Sequence, residues 1–265
     1  MKRAAFGLLA LLALPACSAE TGTSSADAET ISSSACEPAV FEQTPLTHCV
    51  ADPARHRITT VLAPEEGPPW RSLARYAESR DSAPVAFAMN AGMFDEQGQP
   101  IGYYVERGER LHTLNRNEGA GNFHLLPNGV FYGSGSEWHV GTADDFADNV
   151  TTRPEFATQS GPMLVIDGNL HPAIAHDGES LKIRNAVGVD AEGRAHFVIS
   201  EAPLSFGKLA RYYRDVLKTP NALFLDGSVS QLWDAGRGRI DGGPDLGPLI
   251  VVENRATGGS EKAAP

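Results

Sequence analysis

The sequence predicts an α+β fold, a single domain with a mixed or largely antiparallel β-sheet core and a few flanking helices. Short apolar or alternating segments recur along the chain, each ends in a turn sequence, and both features are typical of strands. Gly and Pro contribute 27 and 18 residues, which favours many turns. Hairpins with scattered helices are not the pattern of a doubly wound parallel sheet.

Three hairpins are predicted where apolar segments flank or precede a turn sequence. They are 123–132 around Asn128-Gly129, a hairpin that starts at 163–166 and turns at 167–169, and 186–199 around 190–193. Further strands are predicted at 57–63, which alternates and is β-branched, and at the apolar segments 85–89 and 222–225.

Two segments have helical character. Residues 70–79 predict a short helix, and residues 204–218 predict a stronger one because their apolar side chains fall near one face. Ser205 is available as the N-cap of this second helix, and Pro220 would stop it.

The first seventeen residues resemble a bacterial export signal. Two cations precede an apolar run over 4–14, which is too short to span a bilayer as a helix. Leu14-Pro15-Ala16-Cys17 resembles a lipobox, which predicts cleavage and lipidation at Cys17. The alternative is an ordinary secretory signal cleaved near Ala16 or Ala19. Both interpretations predict export to the periplasmic side of the cell envelope, and the lipobox interpretation adds membrane attachment only through an N-terminal lipid.

Export also changes the interpretation of the other two cysteines. Cys36 and Cys49 would face an oxidising compartment, so we expect a disulfide between the first two strands. The alternative is two free buried thiols. Residues 18–35 and 254–265 are rich in small and polar residues, which predicts a disordered tether and a flexible tail. One domain then remains, over residues 36–253.

Composition and motifs exclude several classes of function. The formal net charge is −11, so there is no basic excess to displace phosphate counterions, and we expect no nucleic-acid partner. No His-Glu-x-x-His motif or zinc-spaced Cys pair occurs, and no Gly-x-Ser-x-Gly elbow indicates an α/β-hydrolase triad.

Polar residues follow three predicted strands where the apolar pattern stops. These segments are Asn90-Ala91-Gly92, Ser200-Glu201 and Asp226-Gly227-Ser228. Strand ends hold polar side chains on a rigid sheet, which favours a functional site. The alternatives are an ordinary loop start at Asn90 and an ordinary hairpin turn at Asp226-Gly227.

Lys182 and Arg184 are two residues apart, so on a strand they would share one face with the small residues Ala186 and Gly188. An ammonium beside a guanidinium suits a phosphate or a carboxylate. The alternative is the solvated start of a strand.

These segments, in this order, resemble the phosphodiester glycosidase family. The matching stretches are Asn90-Ala91-Gly92-Met93-Phe94, Ser160-Gly161-Pro162-Met163-Leu164 with Asp167-Gly168, Arg184-Asn185-Ala186-Val187-Gly188, and Leu225-Asp226-Gly227-Ser228. The resemblance implies a hydrolase that cleaves the glycosidic C–O bond of a sugar-1-phosphodiester. The implied substrate class in a bacterium is a cell-envelope or polysaccharide glycan.

The resemblance also suggests roles for individual residues. Arg184, with Lys182, would hold the phosphate, and Asp226 would act as nucleophile or general base at the anomeric carbon. Glu201 would be a second carboxylate, and Asn90 would orient the sugar or the phosphate. A divalent cation bridging Asp226 and the phosphate is compatible with the sequence but not required by it. Further substrate-binding candidates are Gly92, Ser160, Gly161, Gly227 and Ser228.

Two other functions stay open at this point. One is a lipoprotein that binds a glycan phosphate without turnover, because the family's Asp-Gly-Gly-Gly-Ser is Asp226-Gly227-Ser228-Val229-Ser230 here. The other is a phosphoesterase that cleaves the P–O bond instead of the C–O bond.

Overall fold

Antiparallel β-strands account for most of the fold in a computed structural model, which describes residues 34–80 and 84–255. Every strand pairing within its sheets is antiparallel. In chain order the strands are β1 Cys36–Phe41, β2 Thr44–Ala51, β3 His56–Val61, β4 Val85–Asn90, β5 Tyr104–Glu106, β6 Glu109–His112, β7 Gly129–Ser134, β8 Glu137–Thr142, β9 Phe156–Ser160, β10 Met163–Ile166, β11 Asn169–Leu170, β12 Asn185–Val189, β13 Ala195–Ser200, β14 Asn221–Phe224, β15 Leu232–Asp234, β16 Arg239–Ile240 and β17 Leu249–Asn254.

The strands form three sheets. The first sheet has the order β1-β2-β13-β12-β14-β10-β11, the second β16-β15-β4-β17-β3, and the third β6-β5-β9-β7-β8. Three short α-helices accompany them in the described residues: α1 Leu73–Glu78, α2 Ala143–Asn149 and α3 Phe206–Arg211. The predicted α+β class, with a largely antiparallel core and few helices, is confirmed.

The main core lies where the three sheets meet. The Phe197 ring on β13 of the first sheet lies 5.3 Å from that of Phe87 on β4 and 5.6 Å from that of Phe131 on β7. One aromatic side chain from each sheet therefore enters the same buried cluster, and all three are fully buried. Aromatic rings bury large apolar areas, so this cluster ties the sheets together.

Two of the three predicted hairpins form as expected. β12 and β13 pair across the turn that begins at Asp190, and β10 pairs with β11 across Asp167-Gly168. Asp167 and Gly168 have φ values of 48° and 77°, the left-handed backbone that a tight two-residue turn requires.

The prediction of a hairpin around Asn128-Gly129 is wrong. Residues 122–124 form a single 3₁₀ turn, and β7 pairs with β8 across a turn at Gly135 instead. Asn128 is buried, and its side-chain amide donates hydrogen bonds to the Phe123 and Asn115 carbonyls. It therefore anchors a loop, whereas a hairpin turn would leave this side chain in solvent.

Both predicted helices form but are shorter than expected. α1 begins after Ser72, which caps the Arg75 N–H. α3 begins after Ser205, whose hydroxyl accepts from the Lys208 N–H as predicted. Beyond α3 the chain continues as a π-helical segment, Tyr212–Val216. The left-handed backbone of Lys218, with φ of 56°, ends this segment before Pro220.

A disulfide joins Cys36 and Cys49, which confirms the predicted pairing. The two residues lie opposite each other on β1 and β2, and both are buried in the main core. Closing a loop of this length stabilises the fold by about 3 kcal/mol on the chain-entropy model.

The predictions for the export signal, the lipidation site Cys17 and most of the tether and tail lie outside the described residues. Within the described part, β1 begins at Cys36 and the last strand ends at Asn254. No helix between residues 34 and 80 or between 84 and 255 is long and apolar enough to cross a membrane.

Two buried histidines of the first sheet, His48 on β2 and His196 on β13, are linked through their side chains to Asp190. Nε2 of His48 lies 2.9 Å from Nδ1 of His196, and Nε2 of His196 lies 2.9 Å from a carboxylate oxygen of Asp190. Both histidines are buried. Burial, reinforced by the neighbouring His196, lowers the pKa of His48 from 6.5 to about 4.

We expect the free energy of unfolding to decrease on acidification because of His48. Between pH 6.5 and about 4 the unfolded chain binds a proton at His48 that the folded protein excludes. At 1.36 kcal/mol per pKa unit, this lost stability amounts to about 3 kcal/mol. Urea unfolding from pH 7 to pH 4 measures how the free energy of unfolding decreases with falling pH. This decrease should be smaller in His48→Gln and unchanged in His139→Gln, a control at an exposed position. Equal slopes in wild type and His48→Gln would contradict the expectation.

Candidate active site

Several of the candidate residues meet at one edge of the first sheet. β12 begins at Asn185 and β14 ends at Phe224, and because these neighbouring strands are antiparallel the two ends lie together. β4 of the second sheet ends at Asn90 beside them, since the Asn90 amide donates to the Asp226 carbonyl at 3.0 Å. The site therefore lies at the junction of two sheets.

A pair of buried asparagines connects these sheets. The Asn185 amide nitrogen donates to the Asn90 side-chain oxygen at 2.9 Å, and the Gln231 N–H donates to the same oxygen at 3.0 Å. The polar atoms of the Asn90 side chain are therefore bonded within the protein, where they hold the segment that carries Asp226. Asn185 was not a sequence candidate, although an Asn at the head of an apolar strand within a family-matching stretch was a usable signal. The structure buries it fully.

Two serines add to this anchoring. The Ser230 hydroxyl donates to the Asn185 side-chain oxygen at 3.2 Å, and the Ser160 hydroxyl donates to the Leu225 carbonyl at 3.2 Å. Ser160 was a sequence candidate, whereas Ser230 was not. The Ser160 hydroxyl thus holds the residue before Asp226, and the Ser230 hydroxyl also lies 3.5 Å from the Asp226 carbonyl oxygen.

Asp226 occupies a crossover between sheets. β14 belongs to the first sheet and β15 to the second, so Asp226-Gly227 is not the turn of a hairpin. A carboxylate oxygen of Asp226 accepts the Ser228 N–H at 3.1 Å. Burial raises the pKa of the Asp226 carboxyl, and this hydrogen bond opposes the shift only in part. No Arg, Lys or His of the described residues lies within ion-pair distance of it.

Arg184 is a buried cation, with 1% of its surface exposed. Its guanidinium lies 3.6 Å above the centre of the Phe206 ring, Nε donates to the Leu204 carbonyl, and Nη2 donates to the Ser180 carbonyl. Burial lowers its pKa to about 10, which leaves it charged at neutral pH. Among the described residues no carboxylate pairs with it, and Nη1 makes no hydrogen bond. A phosphate or carboxylate is the natural partner for such a group.

Arg184 and Asp226 lie at the neighbouring ends of β12 and β14. Ala186 pairs with Phe224, and the Leu225 N–H donates to the Asn185 carbonyl at 3.1 Å. Both residues lie just beyond the paired part of these strands, Arg184 before Asn185 and Asp226 after Leu225. Their side chains do not form an ion pair, because the guanidinium stacks on aromatic rings and the carboxylate turns to Ser228.

Lys182 and Glu201 have different surroundings from the residues above. Lys182 is exposed, and its backbone bridges to Leu204. The Glu201 carboxylate binds the Arg239 guanidinium at 2.5 Å and accepts from the Thr47 hydroxyl at 2.5 Å. Glu201 follows β13, which β12 separates from β14, so this carboxylate is paired away from Asp226.

The glycine candidates sit at close contacts inside the protein. A Cβ on Gly92 would lie 2.1 Å from the Gln159 carbonyl of β9, so this glycine lets the second and third sheets touch. A Cβ on Gly161 would meet the Phe123 carbonyl at 2.7 Å, and one on Gly227 would meet the Phe224 ring at 2.7 Å. Ser228 is exposed and contributes its backbone N–H to Asp226.

The described residues hold no cluster of three or more His, Cys, Asp and Glu side chains that could bind a metal ion. A cation at Asp226 would need ligands from the substrate as well.

In this antiparallel three-sheet fold, a buried guanidinium without a carboxylate partner and a half-buried carboxylate thus lie at neighbouring strand ends. A sequence profile of the phosphodiester glycosidase family matches residues 83–253, and the chain belongs to that family. The predicted family is confirmed, and with it the assignment as a phosphodiester glycosidase-like hydrolase.

Individual proteins resemble this chain in sequence or in fold. Over 186 residues the chain is 35% identical to the uncharacterized protein YigE of Escherichia coli K12, covering 70% of this chain and 72% of that protein. The zebrafish N-acetylglucosamine-1-phosphodiester alpha-N-acetylglucosaminidase catalytic domain shares the fold with a TM-score of 0.56 at 15% identity, covering 83% of this chain and 82% of that one. A hypothetical protein from Synechocystis has a TM-score of 0.56 at 16% identity, covering 83% and 61%.

Proposed function

We propose that this protein is an exported hydrolase that cleaves the glycosidic C–O bond of a sugar-1-phosphodiester in a cell-envelope or polysaccharide glycan. The observation that carries the proposal is Arg184, a buried cation without a carboxylate partner, at the neighbouring strand ends where Asp226 also lies. The similar zebrafish protein is named for a sugar-1-phosphodiester, which supports the substrate class.

In the proposed reaction, Arg184 binds the phosphate through its unoccupied Nη1. The bond between the anomeric carbon and the phosphate oxygen breaks, and its electron pair leaves with the phosphate. Asp226 attacks the anomeric carbon or takes a proton from the attacking water, and water supplies the new hydroxyl. Fixed charges next to a developing oxocarbenium centre and a departing anion lower the barrier without reorganisation.

The remaining candidates have supporting roles in this proposal. Asn90 and Ser160 hold the backbone next to Asp226, and Lys182 extends the positive surface beyond Arg184. A phosphate leaving group needs little protonation, so the mechanism does not depend on Glu201 as an acid. Glu201 instead forms an ion pair with Arg239 away from Asp226.

Hydrolysis in water labelled with heavy oxygen tests the proposal. The chain without its first 33 residues would be incubated with sugar-1-phosphodiesters, with and without a chelator, and the products analysed by mass spectrometry. Label in the sugar is the expected result. Label in the phosphate would favour a phosphoesterase, and substrate binding without any product would favour a glycan-phosphate-binding protein.

We also propose that Cys17 is lipidated and anchors the protein to the envelope. Cys17→Ala is expected to release the protein into the soluble periplasmic fraction, because a cysteine is needed for acylation. Ser18 follows the cysteine, which favours the outer membrane in a Gram-negative host. Fractionation with immunoblotting measures the outcome, and wild-type protein found wholly in the soluble periplasm would contradict it.

A further inference from the structure

A second cleft lies on the second sheet, along its edge strand β3. Its volume is about 480 Å³, within the range of roughly 300 to 1,000 Å³ that small-molecule sites occupy. None of the residues that line this cleft belongs to the candidate active site. Its lining includes Arg57, Trp70, Tyr76, Arg80, Arg107 and Glu253.

The cleft is positively charged although the chain as a whole is acidic, with a net charge of −11. Three arginines and one carboxylate, Glu253, line it. Glu253 pairs with Arg80 at 2.6 Å, which leaves Arg57 and Arg107 without an ion pair among the described residues. Both are exposed, so their guanidinium groups can reach a ligand from solvent. Two guanidinium groups on one cleft are suited to a phosphate or carboxylate.

Arg80 lines the cleft and is held in place by its neighbours. Its guanidinium stacks over the Tyr76 ring at 5.4 Å, hydrogen bonds the Tyr76 hydroxyl and binds Glu253. Its Nε is buried and has no hydrogen-bond partner. Arg80 therefore contributes a fixed positive charge beside the cleft.

Two aromatic side chains, Trp70 and Tyr76, also line the cleft. Trp70 packs edge-to-face on Tyr76 at 5.7 Å and remains partly exposed. A partly exposed indole offers a flat apolar surface together with a polar edge. The C–H face of a pyranose ring packs on such a surface, while its hydroxyls find the polar groups around it.

We propose that this cleft binds an anionic sugar, a pyranose that carries a phosphate or a carboxylate, at a distinct site from Asp226 and Arg184. Arg57 and Arg107 bind the anion, and Trp70 packs against the ring. The site would hold a neighbouring unit of a charged glycan, and it does not depend on whether the protein hydrolyses that glycan.

Titration of intrinsic tryptophan fluorescence tests the proposal, with glucose 1-phosphate, glucuronate and glucose as the probes. Both anions are expected to bind more tightly than glucose by about tenfold or more, because only they engage the guanidinium groups. The tighter of the two identifies phosphate or carboxylate as the preferred group. Binding should weaken with added salt.

Three variants assign the signal to the cleft. Arg57→Gln/Arg107→Gln should weaken binding of the anions by about tenfold or more, and both positions are exposed, so folding is preserved. Trp70→Phe should remove the fluorescence change. Arg184→Lys, which alters the proposed phosphate ligand of the active site, should leave the fluorescence change unaltered and so separates this site from the active site.

Several results would overturn the proposal. These are no fluorescence change at about 10 mM of either anion in low salt, equal binding of glucose, full binding by the double arginine variant, or a signal that survives Trp70→Phe. None of them bears on hydrolysis at Asp226, so the proposed function would stand or fall separately.

Discussion

Asp226→Asn is expected to reduce kcat/KM by about a thousandfold or more while leaving the fold intact. Asn keeps the shape and the oxygen that accepts the Ser228 N–H, and the contacts of the Asp226 carbonyl are unchanged. What is lost is the negative charge that attacks the anomeric carbon or activates water. Steady-state kinetics on a sugar-1-phosphodiester, together with urea unfolding, measure both properties.

A second Asp-Gly sequence in the chain supplies a matched control. Asp167-Gly168 is the exposed turn between β10 and β11, and its left-handed backbone tolerates Asn. Asp167→Asn should therefore keep wild-type activity. If Asp226→Asn behaved like Asp167→Asn, the assignment of Asp226 to the chemistry would be wrong.

The pH profile of the wild type follows from the same site. Burial raises the pKa of Asp226, and the reaction needs its ionised form. As the pH falls through this raised pKa the carboxylate is protonated and kcat/KM declines. The acid limb should therefore lie above the usual titration range of aspartate. An acid limb at or below that range would contradict ionised Asp226 as the nucleophile or base.

Arg184→Lys is expected to lower kcat/KM by about a hundredfold, with KM raised and kcat lowered. Lysine keeps the charge, but it loses the planar group that stacks on Phe206 and the fork that bonds the Leu204 and Ser180 carbonyls. It also places its charge differently against the phosphate. Competitive inhibition by inorganic phosphate should weaken in parallel.

Arg211→Lys separates loss of function from loss of stability. Arg211 is also a buried arginine, but it pairs with Glu42 and Asp177 outside the candidate site. Its replacement should lower the free energy of unfolding without raising KM or weakening phosphate inhibition. Unchanged KM and phosphate inhibition in Arg184→Lys would refute the role of Arg184 as the phosphate ligand.

Local features of the fold could be predicted from the sequence because neighbouring residues determine them. The Asp167-Gly168 turn, the 186–199 hairpin and the Ser205 cap each depend on a few adjacent residues. The hairpin at Asn128 failed because its outcome depends on contacts from outside the segment. There Asn128 reaches the Asn115 carbonyl and is buried, which no short-range pattern indicates.

The candidate site likewise has features that the sequence predicts and features that only the structure shows. That Asn90 and Asp226 follow apolar strands was evident from the sequence, but so was the same feature of Glu201. Which strand ends coincide depends on pairing between distant segments, such as the hydrogen bond between Asn90 and Asn185, 95 residues apart. The distant Arg239 likewise pairs with Glu201, whereas no cation pairs with Asp226 in the described residues.

By itself, the sequence determined the α+β class, the disulfide partners, the family and the strand ends at which polar groups stand. Only the tertiary structure decided which of those groups are buried and unpaired. Lys182 and Arg184 have the same local pattern, yet Lys182 is exposed and Arg184 lies beneath Phe206. The reason is physical: the energy of a charge depends on the solvent and counter-charges around it, and distant parts of the chain supply both.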